Sequence, residues 1–194
     1  MAEETGDLQF TSDELKQLFD DLNRELKQED VTGEICIFGG ATMLLVWEAR
    51  ELTRDVDAVF KPESVIKDAV KRVAKSNSLD KPVPGDWLND GVKGYIDKSP
   101  DPENRELVLE RSNLRIMKPP AEYLLAMKAQ SARVGAEEKD PEDLEFLMRE
   151  TGLTDPDEVL EIVEQYYPNF ELPAKVKLFV ESIAEQINPP SSGP

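Results

Sequence analysis

The chain has 194 residues, of which 39% are hydrophobic, 7% aromatic and 33% charged, and a mean hydropathy of -0.50; this composition can bury a core and excludes disorder of the whole chain. A net charge of -18 repels nucleic acid at long range and excludes a broad, non-specific DNA-binding surface. No apolar run approaches the roughly 20 residues of a membrane helix, and the start, MAEETGDLQF, lacks the basic and apolar regions of a signal peptide, so a cytoplasmic protein with no membrane partner is expected.

The first ten residues are expected to be frayed. Thr11 and Glu14 then stand in capping-box spacing before Leu15, Leu18, Phe19, Leu22 and Leu26, a stripe that predicts an amphipathic helix over 12–28. After Thr32-Gly33, the run 34–38 is β-branched and aromatic, and it leads through Gly39-Gly40 into the apolar stretch 41–47. That order predicts strand, glycine turn, helix. A second strand is expected over 55–60, where Asp55 and Asp57 at i and i+2 emerge on one face and Val56 on the other. Residues 63–77 predict a basic helix with Lys67, Lys71, Arg72 and Lys75, and Pro82 and Pro84 make 79–85 a loop. A short helix is expected over Trp87–Ile96.

The runs 106–110 and 114–117, separated by Arg111-Ser112-Asn113, predict a hairpin. Pro119-Pro120 opens a helix carrying Leu124, Leu125, Met127 and Lys128. Asp140-Pro141 reads as N-cap and first residue of the next helix, which Gly152 stops, and Asp155-Pro156 repeats the start signal for a helix to about Tyr167. The last helix is expected over 172–187. The sequence therefore predicts an α/β (α+β) protein, a small mixed sheet with a helical C-terminal half. Its expected parts are a core with its N-terminal helix over 1–118, a helical region packed on it over 119–188, and a disordered tail over 189–194.

The chain has one cysteine and no histidine. This excludes an internal disulfide and every serine–histidine triad, and leaves oxygen as the donor for any metal ion. Cys36, in an apolar strand, reads as a buried inert thiol. The constellation that stands out is the glycine turn followed by Asp55-x-Asp57. Backbone N–H groups at a glycine-rich helix start bind phosphate, and two carboxylates on one strand face hold one or two divalent ions that neutralise phosphates and polarise phosphorus for in-line attack. Gly39, Gly40, Thr42 and Arg54 are the candidate nucleotide contacts, Asp55 and Asp57 the candidate ligands for Mg²⁺ or Mn²⁺, with a nucleoside triphosphate as substrate.

The segments Gly39-Gly40-Ala41-Thr42 and Thr53-Arg54-Asp55-Val56-Asp57 resemble the signature of the polymerase-beta-like nucleotidyltransferase superfamily, a glycine pair followed by acid-x-acid. Trp87-Leu88-Asn89-Asp90, Leu124-Leu125-Ala126-Met127-Lys128 and Lys139-Asp140-Pro141-Glu142-Asp143-Leu144 look like a family of small prokaryotic nucleotidyltransferase-like proteins related to the abortive-infection (type IV toxin-antitoxin) nucleotidyltransferase toxins. The resemblance implies that Lys128 and Asp140 belong to the active site with Asp55 and Asp57. On the residues alone, Lys128 in an apolar helical stretch must snorkel or meet an anion, and that anion is either a phosphate or the carboxylate of Asp55 or Asp140. Asp140 alone reads equally as a helix cap, Asp143 as a partner for Arg133 or Lys139, and Trp87 as a core residue or, with Asn89-Asp90, as packing over a nucleotide. Many members of the superfamily use a third carboxylate on a neighbouring strand, and Glu106 and Glu110 are the candidates here.

The expected activity is metal-dependent transfer of a nucleoside monophosphate to a hydroxyl acceptor, either an RNA such as tRNA or a protein, with a cognate toxin or antitoxin as a possible partner. Residues 1–60 and 136–194 carry net charges of -10 and -11, and only 61–135, at +3, is net basic. An RNA acceptor would meet the basic stretch Lys61–Lys75, whereas the acidic flanks suit a cationic small molecule such as an aminoglycoside. The alternative reading is a catalytically degenerate fold that binds or regulates.

Overall fold

A computed structural model describes residues 8–96, 104–131, 140–169 and 171–189. The first helix, α1 (Ser12–Gln28), starts at the expected capping box, with Glu14 N–H donating to Thr11 Oγ1 at 3.3 Å and Thr11 N–H donating to Glu14 Oε2 at 2.8 Å. It leads to β1 (Gly33–Ile37), α2 (Gly39–Trp47), β2 (Val56–Lys61) and α3 (Glu63–Ser76). The hairpin is β4 (Glu106–Glu110) and β5 (Leu114–Lys118). The helices α4 (Ala121–Ser131), α5 (Asp140–Thr151), α6 (Pro156–Tyr166) and α7 (Ala174–Ile187) follow. Asp155 caps α6 through Asp157 N–H at 2.8 Å, and Gly152, with φ of 75°, closes α5 as expected. The last helix begins two residues later than the sequence predicts, after Pro173.

Two expectations are corrected. In place of a helix over Trp87–Ile96, the chain forms a short edge strand, β3 (Leu88–Asn89), and then a 3-10 turn over Gly91–Tyr95. The tertiary contacts override the local pattern: Val56 N–H donates to Trp87 C=O at 2.8 Å, and Trp87 and Leu88 are buried, Trp87 against the Phe19 ring at 5.7 Å. The Asn89 side chain accepts from Gly91 N–H, a local bond that competes with helix. The second correction concerns the N-terminus. Residues 1–7 lie outside the described residues, but Phe10 is fully buried and exchanges two hydrogen bonds with Thr53, at 2.6 and 3.0 Å. Of the expected tail, all but Pro189 lies outside the described residues.

The strands form one mixed sheet in the order β3-β2-β1-β5-β4. β1 is antiparallel to β2 and parallel to β5, β2 is parallel to β3, and β4 is antiparallel to β5. Alternation sends Ile35, Ile37, Val56, Ala58, Phe60, Leu114 and Ile116 to one face, where they form a core with the apolar stripes of α1 and α3. Asp57 and Val59 point to the opposite face. Backbone contacts divide the chain into two compact units, Met1–Gly94 with Arg105–Pro119, and Tyr95–Asn104 with Pro120–Pro194. In the second, Tyr123 of α4 meets Tyr166 of α6 edge-on at 5.0 Å, and α7 packs on α5 and α6.

Phe10 is the test of the second correction. Phe10→Ala removes a fully buried ring and is expected to lower the unfolding free energy by about 3–5 kcal/mol, measured by urea denaturation; a loss below about 1 kcal/mol is the result for a frayed end.

Candidate active site

The site in the first unit begins where β1 runs into α2. Phe38 N–H donates to Asp57 C=O at 2.9 Å, which ties the start of the turn to β2. Gly39 then turns with φ of 57°, a left-handed conformation that glycine adopts without strain. α2 follows Phe38, whose side chain offers no cap, and has no acid in its first turn. The helix ends at Glu48, itself left-handed with φ of 53°, and the chain returns toward the helix start. A Cβ added at Gly40 would lie 2.8 Å from Thr53 Oγ1 and 3.0 Å from Arg50 Nη1. A side chain at Gly40 would therefore displace its neighbours, and a guanidinium and a hydroxyl stand beside the N-terminal turn. Thr42 is fully buried, and its hydroxyl makes no hydrogen bond among the described residues.

Asp57 is the second residue of β2 and Asp55 lies one residue before the strand. A Cβ on Gly39 would sit 3.5 Å from Asp57 Oδ2, so the glycine turn and this carboxylate are neighbours. Asp55 Oδ2 accepts from Asn89 Nδ2 at 3.1 Å. Burial raises the Asp55 carboxyl above the ordinary aspartate value; the Asn89 amide pulls it down, the charge of Asp86 pushes it up, and Arg54, an exposed residue, pulls it down. Gly39 thus neighbours Asp57, Gly40 neighbours Thr53 and Arg50, and Asp55 feels the charge of Arg54, all within one unit, whereas the buried Thr42 offers its hydroxyl to no surface ligand. Arg50 is a cation that sequence reasoning missed. It lies in the connection 48–55, and nothing in the sequence tells which residue of such a connection folds back on the glycine turn.

Glu106 and Glu110 are corrected as third carboxylates. β4 is three strands from β2, about 14 Å at strand spacing; Glu106 pairs with Lys118 at 2.7 Å and Glu110 with Arg115 at 3.2 Å. Among the described residues no group of three or more carboxylate or thiol side chains is placed to hold a metal ion. Trp87 is a core residue. Asp90 pairs with Lys93 and Lys67, whose hydrogen bonds hold its carboxyl at about 2. Cys36 is buried, and burial pushes its thiol up to about 11, away from nucleophile chemistry. The expected basic stretch is partly paired within the protein: Lys67 meets Glu63 and Asp90, and Arg72 meets Glu25 and Glu29.

In the second unit, Lys128 lies between two carboxylates, Asp140 Oδ1 and Asp143 Oδ2, each at 2.9 Å. The side chains are 16%, 19% and 3% exposed respectively, so the deepest group is Asp143. Arg133 and Lys139, the partners expected for Asp143, lie outside the described residues, and Lys128 takes that place. Asp140 belongs to α5 rather than preceding it as a cap.

Both carboxylate environments can be probed through stability. A raised carboxyl binds its proton more tightly in the folded chain than in the unfolded one, so its contribution to stability is largest at low pH and is lost as pH rises through the folded value. Asp55→Asn is therefore expected to raise the melting temperature at pH 7 in EDTA, with the gain shrinking below the ordinary aspartate range; a lower melting temperature at pH 7 contradicts the assignment. Lys128→Met leaves buried Asp143 and half-buried Asp140 without their shared cation and is expected to cost about 3–5 kcal/mol of stability by denaturant titration; an unchanged midpoint would show that the pairs carry no weight in the fold.

No curated protein and no solved structure matches the chain. A family model does, over residues 13–154, which take in the glycine turn, both aspartates, Lys128 and Asp140. The match spans well over half of the chain, which therefore belongs to the family described as "Nucleotidyltransferase of unknown function (DUF6036)".

Proposed function

We propose that this protein moves a nucleoside monophosphate from a nucleoside triphosphate to a hydroxyl acceptor with the help of a hard divalent cation, as a relative of the polymerase-beta-like enzymes. The observation that carries the reading is the convergence of the uncapped start of α2, Arg50 beside Gly40, and Asp57 beside Gly39. Anionic phosphates suit the first two, and a cation suits the carboxylates. Two protein carboxylates are a sufficient donor set for Mg²⁺ or Mn²⁺, because such ions are commonly held by one or two carboxylates with substrate phosphates and water completing the shell. The bound cation would neutralise phosphate charge and polarise the α-phosphorus. Arg50 and the α2 N–H groups would hold the phosphates, and Asp55 and Asp57 would orient the cation against them. The acceptor oxygen bonds to the α-phosphorus, its proton leaves, and the bond to the departing pyrophosphate breaks.

The acceptor class we propose is an RNA such as tRNA or a protein, and the resemblance to nucleotidyltransferase toxins adds a cognate partner protein to the proposal. The internal pairing of Lys67 and Arg72 takes two of the five cations of the Lys61–Lys75 stretch away from an RNA. A cationic small molecule is the alternative acceptor, suggested by the net charges of -10 and -11 over 1–60 and 136–194. A second reading, a fold that binds nucleotide without turnover, is favoured by the lack of a three-carboxylate group among the described residues.

Each labelled nucleoside triphosphate, incubated with the protein, Mg²⁺ and cell RNA or lysate, is expected to label one acceptor class. Asp57→Asn is expected to reduce transfer at least about 10³-fold, the scale lost when charge stabilisation in a transition state is removed. Binding of the triphosphate with no label transferred would select the second reading, and wild-type transfer by Asp57→Asn would remove Asp57 from the chemistry.

A further inference from the structure

We propose that Asn89 is a positioning residue of this site: held by Gly91, its amide fixes the orientation of the Asp55 carboxylate and leaves the remaining Asp55 oxygen positions to a divalent cation. The inference rests on the reading of Asp55 and Asp57 as cation ligands and adds a residue to it.

Asn89 is clamped at both ends. Its Oδ1 accepts from Gly91 N–H at 2.9 Å, and its Nδ2 donates to Asp55 Oδ2 at 3.1 Å. The first bond also settles the amide's orientation, since a backbone N–H meets the carbonyl oxygen, which leaves the NH₂ group to face the carboxylate. The backbone is held as well. β3 runs parallel to β2 with Leu88 opposite Val56 and Asn89 opposite Asp57, so one residue of the edge strand lies in register with one acid and bonds the other. Asp55 itself precedes the first paired residue of β2, so the sheet ladder does not fix where its carboxylate points. The Asn89 bond does.

The chemistry of the donor matters as much as its position. A carboxylate offers about four lone-pair positions, and a neutral amide occupies one of them without bringing a charge. A lysine or arginine in that place would compete with a divalent cation for Asp55, whereas an acid would add a third negative group. Asn89 adds no charge beside the two carboxylates and holds one of them in place before the ligand arrives, which lowers the ordering cost of binding. Outer partners of metal ligands that act in this way typically carry about 10–100-fold in metal affinity.

Mn²⁺ binding to the full chain, followed by electron paramagnetic resonance, and the melting temperature with and without Mn²⁺ test the assignment on wild type, Asp57→Asn, Asn89→Leu and Asn89→Asp. The first two test the underlying reading: if wild type does not bind Mn²⁺, or Asp57→Asn binds it as well, the cation site fails and the inference fails with it. Where wild type binds and Asp57→Asn does not, Asn89→Leu is expected to bind about 10–100-fold more weakly. Asn89→Asp keeps the acceptor for Gly91 and sets a carboxylate against Asp55, so it is expected to melt lower in EDTA and to gain more from Mn²⁺ than wild type does. A folded Asn89→Leu with wild-type affinity overturns the proposal. Should Asn89→Leu not fold, the decision passes to Asn89→Asp, and a Mn²⁺ response no larger than that of wild type overturns it.

Discussion

The hydrogen bond from Phe38 N–H to Asp57 C=O, at 2.9 Å, closes the pairing of β1 with β2 at the point where the chain leaves the sheet for α2. The antiparallel register, Ile37 opposite Ala58 and Cys36 opposite Val59, fixes the face on which each β2 side chain emerges. Because side chains alternate, the same register that buries Val56, Ala58 and Phe60 sends Asp57 to the other face. It also brings that carboxylate beside Gly39. A slip of one residue would put Asp57 into the core and Ala58 at the turn, so the packing of the core and the placing of the acids are one constraint. The N-terminal arm serves the same end, since Phe10 pairs with Thr53, which stands against Gly40.

The site carries its charges at some cost to the fold. Asp55 is held with its carboxyl raised by burial, and the helix start nearby lacks the acid or hydroxyl cap that α1 and α6 have. Charges are also paired across the α1, α3 and Gly91–Tyr95 segments, as in Arg72 with Glu25 and Glu29, or Lys67 and Lys93 with Glu63 and Asp90. The starts of α3 and α7 also lack a side-chain cap, so what sets the α2 start apart is the raised carboxyl and the close approach of Asp57 and Arg50 to its glycines; under the proposed function the helix start takes an anion and the carboxylates a cation. Lys128 has two carboxylates of its own unit at 2.9 Å.

Elements with strong local signals were legible in the sequence. The capping box of α1, the strand–glycine–helix order, the hairpin and the Asp155-Pro156 start all fall within a residue or two of expectation, because each is set by chemistry within a few positions. Trp87–Ile96 was misread for the converse reason, since two residues pair with β2 on the strength of partners more than thirty positions away. The acids were legible as a pair at i and i+2. Arg50 and the role of Asn89 were not, since each depends on where a connection or an edge strand arrives in space. Glu106 and Glu110 were the only candidates the sequence offered for a third carboxylate, and the strand order puts two strands between them and β2.

The central claim is that the start of α2 holds the phosphates of a nucleotide, and Gly40 tests it most directly. A methyl group there meets Arg50 Nη1 at 3.0 Å and Thr53 Oγ1 at 2.8 Å, whereas one at Gly85 meets nothing within 4 Å. Alanine is the better helix former by about 1 kcal/mol, so Gly40→Ala disturbs the groups beside the turn with little harm to the helix. Isothermal titration of a non-hydrolysable nucleoside triphosphate with Mg²⁺ is expected to show affinity reduced at least about tenfold in Gly40→Ala, the effect of losing about 1.4 kcal/mol of contact, and unchanged in Gly85→Ala. Equal affinity in wild type and both variants would contradict the account.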